Sequence, residues 1–179
     1  VRGFSESTIH RFQLGYDPVS GRLTIPLRNS YGDLVGVIYR RLDDGRPKYL
    51  NPKGFARGRS LFASWHVRKS AHETVAITEG PLDAIRCWDA GIPAVALMGA
   101  SMTSEQVKLL RSMAIRRAVV LTDNDNAGRK ASEQVISALA GSGCVPVLAK
   151  YLDDSKDPGE MPTETLRSVW QIAKSVRLR

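Results

Sequence analysis

Two pairs of carboxylates stand where apolar runs give way to polar turns. Glu79 and Asp83 follow Val75-Ala76-Ile77-Thr78, while Asp123 and Asp125 follow Ala118-Val119-Val120-Leu121-Thr122. Asp123 and Asp125 are two residues apart, so an extended backbone puts both side chains on one face. Gathered carboxylates repel each other, and a hard divalent cation with oxygen ligands relieves the repulsion. Mg²⁺ or Mn²⁺ held this way would serve reactions at phosphate groups. Each pair also has a plainer reading. Asp-Asn-Asp-Asn is common turn and helix-cap chemistry, and Asp83 complements the dipole of a helix opening at Pro81. Two such pairs, each where a β-run opens a helix, favour a site over coincidence.

Other metals lack ligands. Cys87 and Cys144 have no metal-ligand spacing, and His10, His66 and His72 are scattered, so no zinc cluster is expected. The cysteines read as buried free thiols in a reducing cytosol, and a cytoplasmic location follows. No run reaches the length of a membrane span.

The elements that must position the carboxylates divide by period. Ser5 suits a helix N-cap, with Ile9 and Phe12 on one helical face, and Gly15-Tyr16-Asp17-Pro18 reads as the end of that helix. From Arg22 to Leu42 apolar and polar residues alternate about the turn signal Asn29 to Asp33, which predicts an antiparallel hairpin. Lys48-Tyr49-Leu50 adds a short third strand. Residues 51–60 form a basic Gly/Pro loop, and Leu61 to Val67 a short helix or edge segment. From Thr74 onward strand and helix alternate. Strands are predicted at 74–78, 94–97, 118–121 and 145–149. Helices are predicted after Pro81, after Thr103 with its capping partner Gln106, over 127–139, and from Thr163 or Glu164 to Val176. This grammar gives a mainly parallel sheet flanked by helices, preceded by a small mixed α+β lobe carrying the hairpin. The expected organisation is a basic N-terminal lobe over 1–70, a parallel-sheet domain over 71–150, and an acidic loop with a closing helix over 151–179. In such sheets ligands bind at the carboxyl ends of the strands, where all four acids fall. Trp65, Trp88 and Trp170 read as core or interface.

The acidic set lies in a basic chain. Twenty-six Lys and Arg against 18 Asp and Glu give a net charge of +8, with pI near 9.8. That balance suits polyanions, nucleic acid and nucleotides first among them.

Glu79-Gly80-Pro81-Leu82-Asp83-Ala84 with Asp123-Asn124-Asp125-Asn126-Ala127-Gly128-Arg129 resembles the Toprim domain, shared by DnaG-type primases, topoisomerases and some nucleases. Glu79 matches its single glutamate, and Asp123 with Asp125 its Asp-x-Asp pair. The preceding lobe resembles the RNA-polymerase core of primases. Leu14 to Pro18, the hairpin, Arg40-Arg41-Leu42, Pro47 to Asn51 and Arg57 to Phe62 each have counterparts there, and Lys156-Asp157-Pro158 resembles a later acidic motif. Gly159 stands where that motif usually has a second Asp.

The resemblance implies a DNA primase core that makes RNA primers on single-stranded DNA from ribonucleoside triphosphates. It implies Mg²⁺ or Mn²⁺ on Glu79, Asp123, Asp125 and Asp157. Glu79 would be a ligand or general base near the attacking hydroxyl, with Asp83 in support. Arg2, Arg40, Lys48, Asn51 and Arg57 would contact nucleotide or nucleic acid. A replicative helicase and a zinc-binding module outside this chain are the implied partners. A Toprim nuclease, or a non-catalytic module gripping single strands or nucleotides, remains the alternative.

Overall fold

The computed structural model describes residues 3–99 and 101–176. Within them two four-stranded sheets share one apolar core.

The first sheet is antiparallel, in the order β1 (Gly15–Asp17), β2 (Arg22–Arg28), β3 (Leu34–Arg41), β4 (Tyr49–Leu50). Its register follows the alternation in the sequence. Leu23, Ile25 and Leu27 all point into the core, and Ile25 lies opposite Ile38. The hairpin turn is held by Asn29, whose Oδ1 accepts the Tyr31 and Asp33 N–H groups at 2.9 and 3.0 Å. One expectation fails here. The helix α1 (Glu6–Phe12) stops at Gln13, whose φ of 52° is left-handed, and residues 15–17 pair with β2 as a strand. Backbone partners on β2 outweigh the weak local preference of Gly-Tyr-Asp.

The second sheet is parallel, in the order β6 (Ala94–Ala96), β5 (Thr74–Thr78), β7 (Arg117–Val120), β8 (Val145–Leu148). Its strands are short apolar runs because helices cover both faces. The helices α3 (Pro81–Asp89), α4 (Ser104–Ser112), α5 (Asn126–Leu139) and α6 (Thr163–Ser175) complete the lobe. Proline opens α3 where its missing N–H costs nothing. The expected capping box opens α4, with Thr103 accepting from the Gln106 N–H and Gln106 from the Thr103 N–H.

Between the lobes, Phe62 forms an isolated bridge to Ala96 and α2 (Ser64–Ser70) follows at once. The segment from Leu61 is thus an edge contact and a helix in succession. No helix among the described residues is long and apolar enough to cross a membrane.

Candidate active site

Strands β5 and β7 are neighbours in the parallel sheet, so the acids at their carboxyl ends must meet. The Asp123 N–H donates to Glu79 Oε1 at 3.1 Å, joining the two strand tips. A side chain would crowd the site at two glycines nearby, against backbone at Gly128 and against a carboxyl at Gly80. A Cβ on Gly128 would overlap the Asp123 carbonyl oxygen, and one on Gly80 would sit 2.7 Å from Asp83 Oδ2. The first lets α5 start tight against the tip of β7. The second lets the Asp83 carboxyl turn back over the tip of β5.

A third acid arrives from far along the chain. The Asn124 N–H donates to the Lys156 carbonyl at 2.7 Å, which draws the 153–159 loop across the strand tips and brings in Asp157. Asp157 Oδ1 in turn accepts the Glu160 N–H at 2.8 Å. These groups and residues of the antiparallel lobe enclose a cleft of about 330 Å³. Glu79, Asp83, Asp123 and Asp157 line one wall, while Lys48, Asn51 and Arg57 line the other.

The field in the cleft is strongly negative around Asp123. Burial, and then the charges of Glu79, Asp157 and Asp125, push its pKa up to about 6, against a smaller opposing pull from Lys48. Its Oδ1 is buried with no hydrogen-bond partner. An acceptor-only oxygen left bare in a negative field is what a cation would complete. Among the described residues no three acids already stand at ligand spacing. Mg²⁺ suits such a partial set, because it keeps several waters and binds through one or two carboxylates plus substrate phosphates.

The basic wall is held by a side chain the sequence marked only as a cap. Gln106 is 1% exposed, and its Nε2 donates to the carbonyls of Ser60, Leu97 and Arg57 at 2.8, 3.1 and 3.2 Å. Thr103 Oγ1 donates to the Gly58 carbonyl beside it. The loop carrying Arg57 is thereby fastened to α4 and β6. Met98 lines the same cleft with a left-handed φ of 58°, and its N–H donates to the Glu79 carbonyl at 2.9 Å.

Residues 76–161 match the family model described as Toprim-like. A DNA primase of Halalkalibacterium halodurans is 34% identical over 152 residues, covering 81% of this chain and 25% of that protein. The structure of the Aquifex aeolicus primase zinc-binding and RNA polymerase domains superimposes with a TM-score of 0.83 at 25% identity. That match covers 96% of this chain and 54% of the other. The chain carries a Toprim-like domain and has the fold of the DnaG-type primase cores. The fold also matches a DnaG primase catalytic domain bound to single-stranded DNA, with a TM-score of 0.76 at 24% identity over 96% of this chain and 69% of that one. The chain spans about a quarter of the length of the curated relatives it matches.

Within this primase-type core most of the expected site residues converge, with three exceptions. Asp125 contributes charge toward Asp123, but it is exposed and its Oδ1 caps α5 by accepting the Gly128 N–H at 2.8 Å. Arg40 is 8% exposed and lies behind the cleft wall. Its Nε donates to the Tyr49 hydroxyl at 3.1 Å and its Nη1 to the Arg41 carbonyl at 3.1 Å. It therefore supports Tyr49, which does line the cleft. Arg2 lies outside the described residues. Sequence reasoning missed the span of Gln106. It also missed Tyr151, whose hydroxyl donates to the Thr122 carbonyl at 2.9 Å, directly behind Asp123.

Proposed function

We propose that this chain is the RNA-polymerase core of a DNA primase, extending RNA from ribonucleoside triphosphates on a single-stranded DNA template. The observation that carries this reading is the bare, buried Asp123 oxygen in a cleft with acids on one wall and cations on the other. Asp123, Asp157 and Glu79 would hold Mg²⁺ or Mn²⁺, with Asp125 adding charge. The ion would supply charge neutralisation on the triphosphate and acidify the attacking hydroxyl.

The chain's own residues supply the rest. Glu79 Oε1 is committed to the Asp123 N–H, so its other oxygen is the one available to take the proton of the attacking 3′-hydroxyl. As the new bond to the α-phosphorus forms, the bond to the leaving pyrophosphate breaks. Lys48 and Arg57, both exposed on the opposite wall, would bind triphosphate and template phosphates. Asn51 would meet a base or ribose, and Arg2 would add a further cation for nucleic acid. Arg40 would act through Tyr49. Asp83 would support the Glu79 carboxylate from the first turn of α3. A replicative helicase and a zinc-binding module remain the proposed partners, in the cytoplasm.

The test is Mg²⁺-dependent extension of a preannealed RNA primer, comparing the parent chain with Asp123→Ala and Glu79→Ala. Extension that stops in both variants supports the reading. Unchanged incorporation in both overturns it, as does cleavage of the DNA in place of extension, or binding without incorporation.

A further inference from the structure

A second cavity, of about 580 Å³, opens where α1, the far end of β2, α2 and the end of α3 come together. Arg11, Gln13, Arg28, Trp65, His66 and Lys69 line it, over a floor that includes Trp88. It lies far from the acidic cleft. Arg40, behind Tyr49 at the cleft wall, pairs with Leu23. Arg28 is five residues further along β2, roughly 17 Å at the usual rise of a strand. Helix α3 points the same way, with Pro81 in the acidic cleft and Trp88 in this second cavity.

The cavity is cationic and lacks counter-charge. No carboxylate among the described residues forms an ion pair with Arg11, Arg28 or Lys69. Arg28 is held by neutral acceptors, the Gly32 carbonyl at 2.7 Å and Gln13 Oε1 at 2.6 Å. The Arg11 guanidinium lies 5.2 Å from the centre of the Trp88 ring. Burial, and then the charges of Arg11, Arg28 and Lys69, hold His66 down at about 4, so at neutral pH it adds no charge of its own.

Three cations gathered without an anion repel one another, and a bound phosphate removes that cost. A bare phosphate would leave the indole surface unused. Half-buried Trp65 packs part of its ring against the Gly32 turn and also lines the cavity, which gives the cavity an aromatic wall of the kind on which bases stack. The volume is within the usual range for a small-ligand site. We propose that this cavity binds a nucleoside phosphate without metal, the phosphate on Arg11, Arg28 and Lys69 and the base against Trp65. The proposal stands apart from the polymerase reading, since it uses none of the acidic residues.

The experiment follows tryptophan fluorescence of the chain in EDTA buffer during titration with AMP, a short thymidine oligonucleotide, and inorganic phosphate. Saturable quenching by AMP or by the oligonucleotide is expected. Lys69→Gln and Arg11→Gln should each weaken it about tenfold, the value of one charge-assisted contact. Asp123→Asn should leave it unchanged. Circular dichroism of each variant reports whether the fold is retained. Tighter binding of AMP identifies a free nucleotide as the ligand, and tighter binding of the oligonucleotide identifies one unit of a strand. No saturable quenching, equal affinity for inorganic phosphate, or loss of binding only in Asp123→Asn would overturn the proposal.

Discussion

The acidic cleft and the Arg11–Arg28–Lys69 cavity are opposite departures from neutrality at the two ends of the same secondary-structure elements. In the cleft, crowded carboxylates push the Asp123 pKa up to about 6. In the cavity, crowded cations help hold His66 down at about 4. Each group is moved toward its neutral form by burial and by like charge, and each stands in a hollow large enough for a ligand. Elsewhere some described charges are matched locally, as with Arg86 and Asp89 or Arg167 and Glu164. A folded chain that leaves two hollows of unbalanced charge loses stability at both, and a ligand of opposite charge restores it.

The comparison breaks most sharply at Asp123. Asp123→Ala should lower primer extension on the order of a thousandfold, because it removes a buried carboxylate oxygen that has no hydrogen-bond partner. Glu79→Gln keeps the acceptor for the Asp123 N–H but not the base. It should cost on the order of a hundredfold in the same assay, with the loss concentrated in the rate at saturating nucleotide. Gln106→Ala strands three carbonyls and frees the Arg57 loop. The urea midpoint should fall by about 2 kcal/mol of stability, and extension should weaken through nucleotide affinity.

Two smaller effects sharpen the contrast through pH. Asp123 binds its proton more tightly folded than unfolded, so without metal its contribution to stability is lost as pH rises from about 4 through 6. Asp123→Asn should remove that loss and raise stability at pH 7.5 by about 1 kcal/mol, after discount for partial exposure. Mg²⁺ should raise the melting temperature of the parent chain more at pH 7.5 than at pH 5. His66 has the opposite sign. Its folded pKa lies below its unfolded one, so its contribution is lost as pH falls from about 6.5 through 4. His66→Gln should flatten that limb by under about 1 kcal/mol, read from urea midpoints across the same range.

The cleft was more legible in the sequence than the cavity, for a physical reason. Glu79 and Asp123 stand at the ends of apolar runs, and a parallel sheet aligns such ends, so local pattern reports a tertiary meeting. Asp157 entered only through resemblance, since the bond from Asn124 to Lys156 that delivers it leaves no mark in either segment. Arg40 shows the converse. Its motif suggested a phosphate ligand, but the register of β3 turned the side chain behind Tyr49. Gln106 carried a readable cap, yet its carbonyl partners lie up to 49 residues away. The cavity draws Arg11, Arg28 and Lys69 from three elements with no shared spacing, and Trp65 carries no sign of its orientation. The strand at 15–17 was hidden likewise, because three residues are too few to show a period.

The bond between Asn124 and Lys156 also separates the making of the sheet from the completion of the cleft. Glu79 and Asp123 meet through the pairing of β5 with β7, whereas Asp157 arrives only when the 153–159 loop closes over the strand tips. Loosening that one backbone bond would withdraw a negative neighbour from Asp123 and leave the strand pairing intact.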